Sequence, residues 1–201
     1  LAGEIPVVLG GDHSLAMGSI PAVAEAARRA GQRVGVVWLD AHGDMNTPAS
    51  TPSGNVHGMP LACVLGSGHP SLTSIGGPGP AVRPEDVALI GVRAIDRQEA
   101  AAIRATGVQT WTMRDIDHDG IGATVEAALA ALAHCDRIHV SFDVDFLDPV
   151  IAPGVGTRVR GGPDYREAHL VMEMLADSGK IRSVDVVELN PILDRENTTG
   201  E

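Results

Sequence analysis

Short β-branched apolar runs alternate along this chain with longer stretches whose apolar positions recur at helical spacing. The runs Ile5–Leu9, Val34–Leu39, Val87–Gly91, Val108–Thr112, Ile138–Phe142 and Ser183–Val187 are nearly continuous in apolar residues, with little alternation. That is the pattern of parallel strands covered on both faces. Between them, Leu15–Arg29, Asp96–Ala105, Gly122–Ala133 and Tyr165–Ala176 read as helices, the third dense in Ala and Leu, which are strong helix formers. Strand–helix alternation predicts an α/β sandwich on a parallel sheet, and such sheets bind ligands at the carboxyl ends of their strands. No internal repeat is visible. Gly66–Pro84 reads as a long loop, a kind of segment that is often functional.

Composition narrows this picture. At 201 residues the chain suits one domain with a real core. Aromatic residues are only 2%, so that core must be built from Val, Leu, Ile and Ala. A formal charge of −11 weighs against nucleic acid as a partner, because phosphate contacts need a basic surface. Cys63 and Cys135 are too few for a disulfide framework and read as buried free thiols of a reducing compartment. No apolar run reaches membrane-spanning length and no signal-peptide pattern is present, so the expectation is a cytoplasmic protein without a membrane partner. The chain opens on Leu1 rather than Met and closes on Asn197-Thr198-Thr199-Gly200-Glu201, which reads as a fragment cut at both ends.

Metal-type side chains follow three of the predicted strands. Gly10-Gly11-Asp12-His13-Ser14 follows the first, Asp40-Ala41-His42-Gly43-Asp44 the second and Asp143-Val144-Asp145 the fifth. In extended chain, alternate side chains share a face, which would let Asp40, His42 and Asp44 converge, and likewise Asp143 with Asp145. With His13 this makes four carboxylates and two imidazoles. Adjacent carboxylates repel and take up protons unless cations separate them. A mostly hard-oxygen set with some imidazole and no thiolate favours manganese or magnesium over zinc, and the histidines favour manganese. Each piece alone has a duller reading: an Asp-x-Asp at a strand end is usually a turn, and Asp12 or Ser14 suits a helix cap. His57, in the glycine-flanked turn Ser53–Gly58, and Glu188, after the last strand, suit proton transfer and bidentate capture of a guanidinium. His69, His118, His134, His139 and His169 have no such setting and read as surface or packing residues.

GGDHS, DAHGD, SGN-x-HG, SFDVD-x-LDP and VVELNP, in this order, resemble the motifs of the ureohydrolases, the arginase and agmatinase family, and of bacterial arginases within it. The resemblance implies a three-layer α/β/α sandwich with a parallel central sheet. It makes residues 1–201 one ureohydrolase catalytic domain, short of the family's N-terminal strand and helix and its C-terminal helix. It further implies two Mn2+ ions. His13, Asp40, Asp44 and Asp143 would hold one, and Asp40, His42, Asp143 and Asp145 the other, with a metal-bridging hydroxide that Asp44 holds in place. His57 would relay the proton, Glu188 would orient the guanidinium, and Thr157 would stand beside the substrate. Asn46, Ser53 and Asn55, with Thr51 among them, match positions that bind a substrate carboxylate, and Asp96 and Glu99 match positions that bind an α-ammonium. The expected reaction is hydrolysis of L-arginine to L-ornithine and urea. Agmatine or another guanidino acid is the alternative substrate, and a homo-trimer or homo-hexamer is the expected assembly.

Overall fold

The computed structural model describes residues 4–201. Six strands form one sheet: β1 (Val7–Leu9), β2 (Val34–Leu39), β3 (Val87–Val92), β4 (Gln109–Thr112), β5 (Arg137–Asp143) and β6 (Ile181–Val187). Their order is β1-β6-β5-β2-β3-β4, and every pairing is parallel. The seven helices are α1 (Ala16–Arg29), α2 (Pro60–Val64), α3 (Pro70–Thr73), α4 (Arg97–Thr106), α5 (Met113–Asp119), α6 (Ile121–Ala131) and α7 (Tyr165–Asp177).

Period-two alternation sorts each central strand between two cores. Val36, Trp38, Val87 and Leu89 face Ile20 and Ala24 of α1, Leu61 of α2 and Ile103 of α4. Val37, Leu39, Ile90, Ile138 and Val140 face the other way, onto Ile116 of α5, Val125 and Ala128 of α6, and Val171 and Leu175 of α7. The result is the expected three-layer sandwich. Covering on both faces explains why β2 and β3 are apolar throughout and wholly buried.

The predicted runs end within about two residues of the observed elements, and the differences have local causes. Ile5 and Pro6 stay outside β1; proline lacks a ladder donor, although its carbonyl still accepts from Val184 N–H at 3.0 Å. Residues 66–84 are not a site loop: they hold α3 and fold onto α1 and α2, with Gly76 against Pro21 and Ala81 N–H donating to Val64 O. None of them lines the cavity described below. α5 has no counterpart among the predicted helices. Cys63 and Cys135 are both buried free thiols, as read.

Candidate metal centre and adjoining cavity

The carboxyl ends of β1, β2, β5 and β6 meet where the metal-type residues were expected, but backbone turns rather than strand alternation bring them together. β2 ends at Leu39, so Asp40, His42 and Asp44 lie beyond it. Asp44 takes a left-handed conformation at φ 51°, which turns its carboxylate back toward Asp40. Asp143 closes β5 and caps the 3-10 turn Val144–Phe146, accepting from Asp145 N–H at 2.7 Å. The extended-chain argument is therefore corrected in its geometry, while the convergence it anticipated holds.

His13, Asp40, Asp44, Asp143 and Asp145 are all buried, at 1 to 5% exposure. Three carboxylates surround one nitrogen: His13 Nδ1 lies 3.1 Å from Asp143 Oδ2, 3.2 Å from Asp44 Oδ2 and 3.3 Å from Asp40 Oδ2. His42 Nδ1 stands 3.0 Å from Asp145 Oδ2 and 3.4 Å from Asp40 Oδ1. Two groups able to hold a cation result, His13–Asp40–Asp143 and Asp40–His42–Asp145, with Asp40 in both. Among the described residues, none donates a hydrogen bond to the buried Asp44 Oδ2. A buried carboxylate oxygen left open beside such sets fits a cation as its missing partner.

Electrostatics agree. Burial and the negative charge of Asp40 push the Asp44, Asp143 and Asp145 carboxyls above the ordinary carboxylate range. Burial opposes protonation of His42, but Asp145 and Asp40 win and push it up to about 11. His13 is raised as well, burial opposing and Asp40 and Asp44 prevailing. A site that must gather protons when bare is one that cations would discharge.

Neighbours fix these side chains. His13 Nε2 meets Ser141 Oγ at 2.8 Å, and the imidazole stacks on Trp38 at 4.3 Å between ring centroids. Trp38 Nε1–H donates to Asp40 Oδ2 at 2.9 Å, and Thr157 Oγ–H to Asp145 Oδ2 at 2.7 Å. A partner on the far ring nitrogen is what orients a ligating histidine. Ser141 and Trp38 each stand two residues before an aspartate, so strand parity could have pointed to them. Arg93, whose guanidinium binds the main chain behind Asp145, left no such signal.

In front of the carboxylates lies a cavity of about 460 Å3. His42, Asp44, Asp143, Asp145 and Thr157 form its floor, and Asn46, Thr51, Ser53, Asn55, His57, Ala94, Asp96 and Glu99 form its walls. The size suits a small metabolite. His57 Nδ1 lies 3.5 Å from Glu188 Oε1, and that carboxylate raises the imidazole pKa above its ordinary value. Glu188, itself left-handed at φ 65°, also accepts from His13 N–H at 2.7 Å. Asn46 Nδ2–H donates to Asp96 Oδ2 at 2.8 Å, so the residues assigned to opposite ends of a substrate contact each other. Asp96 also caps α4 through Gln98 and Glu99 N–H. Glu99 lines the cavity but is buried, accepting from Met45 N–H at 3.1 Å and packing against Gly43. Asp12 accepts from Ser14 N–H and caps the turn His13–Leu15. His139 is wholly buried between Ser183 Oγ and Asp185, a packing residue as read.

A buried carboxylate–imidazole cluster able to hold cations, at the carboxyl edge of a parallel three-layer sandwich, is the setting of a metal-dependent enzyme. The family model for the arginase family matches residues 1–201, and the chain belongs to that family. It is 52% identical over 199 residues to the arginase of Bacillus caldovelox, covering 98% of this chain and 65% of that protein. It is 50% identical to the arginase of Bacillus subtilis strain 168, covering 98% and 66%. A crystal structure of Bacillus subtilis arginase superposes with a TM-score of 0.94 at 49% identity, over 99% of this chain and 69% of that one. The proclavaminate amidino hydrolase of Streptomyces clavuligerus is more distant, at 29% identity and a TM-score of 0.75. The chain thus spans about 65% of the length of the curated relatives it matches. Among the described residues, no helix is long and apolar enough to cross a membrane.

Proposed function

We propose that this chain carries the catalytic centre of an arginase, which hydrolyses L-arginine to L-ornithine and urea with two manganese ions. The observation that carries the reading is the pair of cation-type groups sharing Asp40, whose His42, Asp143 and Asp145 line a metabolite-sized cavity. His13, Asp40, Asp44 and Asp143 would hold one ion, and Asp40, His42, Asp143 and Asp145 the other. Bound there, divalent cations would neutralise the carboxylates and supply the Lewis acidity that makes water a nucleophile at neutral pH.

The chain's own groups divide the remaining work. Glu188, whose carboxylate stands against His57 of the cavity lining, orients a planar guanidinium. Asp44 Oδ2 is buried 3.2 Å from His13 Nδ1, among the groups that would hold the first ion. His57, kept protonated to higher pH by Glu188, gives a proton to the leaving amine, without which a primary amine is a poor leaving group. Thr157 and Ser141 hold ligands rather than reacting. At the far wall Ser53 and Asn55 present short donors to an amino-acid carboxylate. Asp96 accepts from the α-ammonium once Asn46 turns from it to the carboxylate. The cytoplasm and a homo-trimer or homo-hexamer complete the reading.

The test is urea release from L-arginine and, separately, from agmatine after incubation with manganese. Urea from arginine but not agmatine is expected. Urea from agmatine alone would overturn the assignment of Asn46, Ser53, Asn55 and Asp96, and urea from neither would overturn the activity of this chain.

A further inference from the structure

Arg93 follows β3 and sits half-buried behind the carboxylate cluster, away from the cavity. Its guanidinium spends every hydrogen bond found among the described residues on main-chain carbonyls. Nη2 donates to Asp145 O at 2.8 Å, Val159 O at 2.9 Å and Leu147 O at 3.2 Å; Nη1 donates to Phe146 O at 3.0 Å and Gly91 O at 3.3 Å. Nε adds a second bond to Val159 O at 3.3 Å. Three segments therefore close on one planar group: the end of β3, the turn Asp145–Leu147 and the stretch two residues beyond Thr157.

The backbone ties a fourth segment in. Arg93 N–H and Ala94 N–H both donate to Ala41 O, at 2.9 and 3.0 Å, between Asp40 and His42. On its other side Arg93 leads directly into Ala94–Asp96, the cavity wall. The packing leaves no slack, since a Cβ at Gly162 would fall 2.5 Å from Nη2 and 2.6 Å from Phe146 O. Burial lowers the guanidinium pKa from its ordinary value while Asp145 and Asp148 hold it up; an arginine remains charged in such surroundings. Only a guanidinium has the donors and the planar fork to satisfy so many acceptors, because an ammonium offers three from a single point.

We propose that Arg93 is a positioning residue for this site: closed over five carbonyls, it sets where the Asp145 carboxylate and the Thr157 hydroxyl stand relative to the Ala94–Asp96 wall. The inference rests on the metal reading above and assigns Arg93 no contact with substrate or ion. Its consequence is that cation binding, and not fold stability alone, depends on a side chain behind the site. Outer-shell groups that orient ligands typically change metal affinity by about 10–100-fold.

The experiment titrates the full 201-residue chain with Mn2+ by calorimetry, and follows the electron paramagnetic resonance of the loaded protein, well below each variant's melting midpoint. Arg93→Met should weaken Mn2+ binding by about 10–100-fold and lose the exchange-coupled two-ion signal. Arg93→Lys, which keeps the charge and fewer bonds, should fall between. Arg93→Lys thereby preserves the test if Arg93→Met fails to fold. Lowered melting midpoints with unchanged Mn2+ affinity and signal in the folded Lys variant would overturn the proposal. An unsubstituted chain that takes up no Mn2+ would instead overturn the metal reading, and the Arg93 role with it.

Discussion

Two residues of the site hold backbone conformations that side chains rarely adopt, Asp44 at φ 51° and Glu188 at φ 65°. Such strain is retained where surrounding contacts over-determine it. Here it turns one carboxylate into the cluster and sets the other between His13 N–H and His57. Because Glu188 raises the His57 pKa, their pairing is fully present below the ordinary histidine value near 6.5. It is lost as pH rises through the higher folded value. Glu188→Gln should therefore move the His57 titration midpoint, followed by NMR on metal-free protein, downward toward 6.5; an unmoved midpoint would dissociate the two. Asp40→Asn should reduce cation uptake below two ions per chain in a calorimetric titration, because Asp40 stands in both groups. Asp40, Asp44 and Glu188 were legible in the sequence because each comes shortly after an apolar run, and His57 because of its polar, glycine-flanked turn. Their neighbours were less so. Ser141 and Trp38 lie inside strands, where polar and aromatic residues are common, and the acceptors of Arg93 are carbonyls, which carry no residue identity.

At the scale of elements, the strands and longer helices announced themselves because both faces of the sheet are covered and the central runs are apolar throughout. α5 escaped because its sequence, Met-Arg-Asp-Ile-Asp-His-Asp, has almost no apolar stripe; it is held by the capping box of Thr112 and Asp115, a signal present in the sequence. α7 starts in the same way, from Asp164 and Glu167. Asp164→Ala should cost about 1 kcal/mol in denaturant unfolding, the usual worth of a lost N-cap. Ile90→Ala, between the layers and wholly buried, should cost about 2–5 kcal/mol by the same measurement. The turns that shape the site were the least legible elements. A left-handed Asp44 is not written in its residue type, and the Asp143 cap is a local turn that an extended-chain reading passes over, so that reading placed the right residues together by the wrong local geometry.

For the molecule as a whole, the carboxylate cluster makes stability conditional on what occupies it. A ligand that binds only the folded chain adds about 2.7 kcal/mol at a hundred times its dissociation constant. Chelation should accordingly lower the melting midpoint measured with saturating Mn2+, and a midpoint unmoved by chelator would remove the metal reading. The parallel sheet has a consequence of its own at this scale. Every strand pairing runs in one direction, and the cluster gathers residues from His13 to Asp145 at the carboxyl edge. Cation uptake should therefore appear only after the sheet has closed, which makes it a late reporter of refolding.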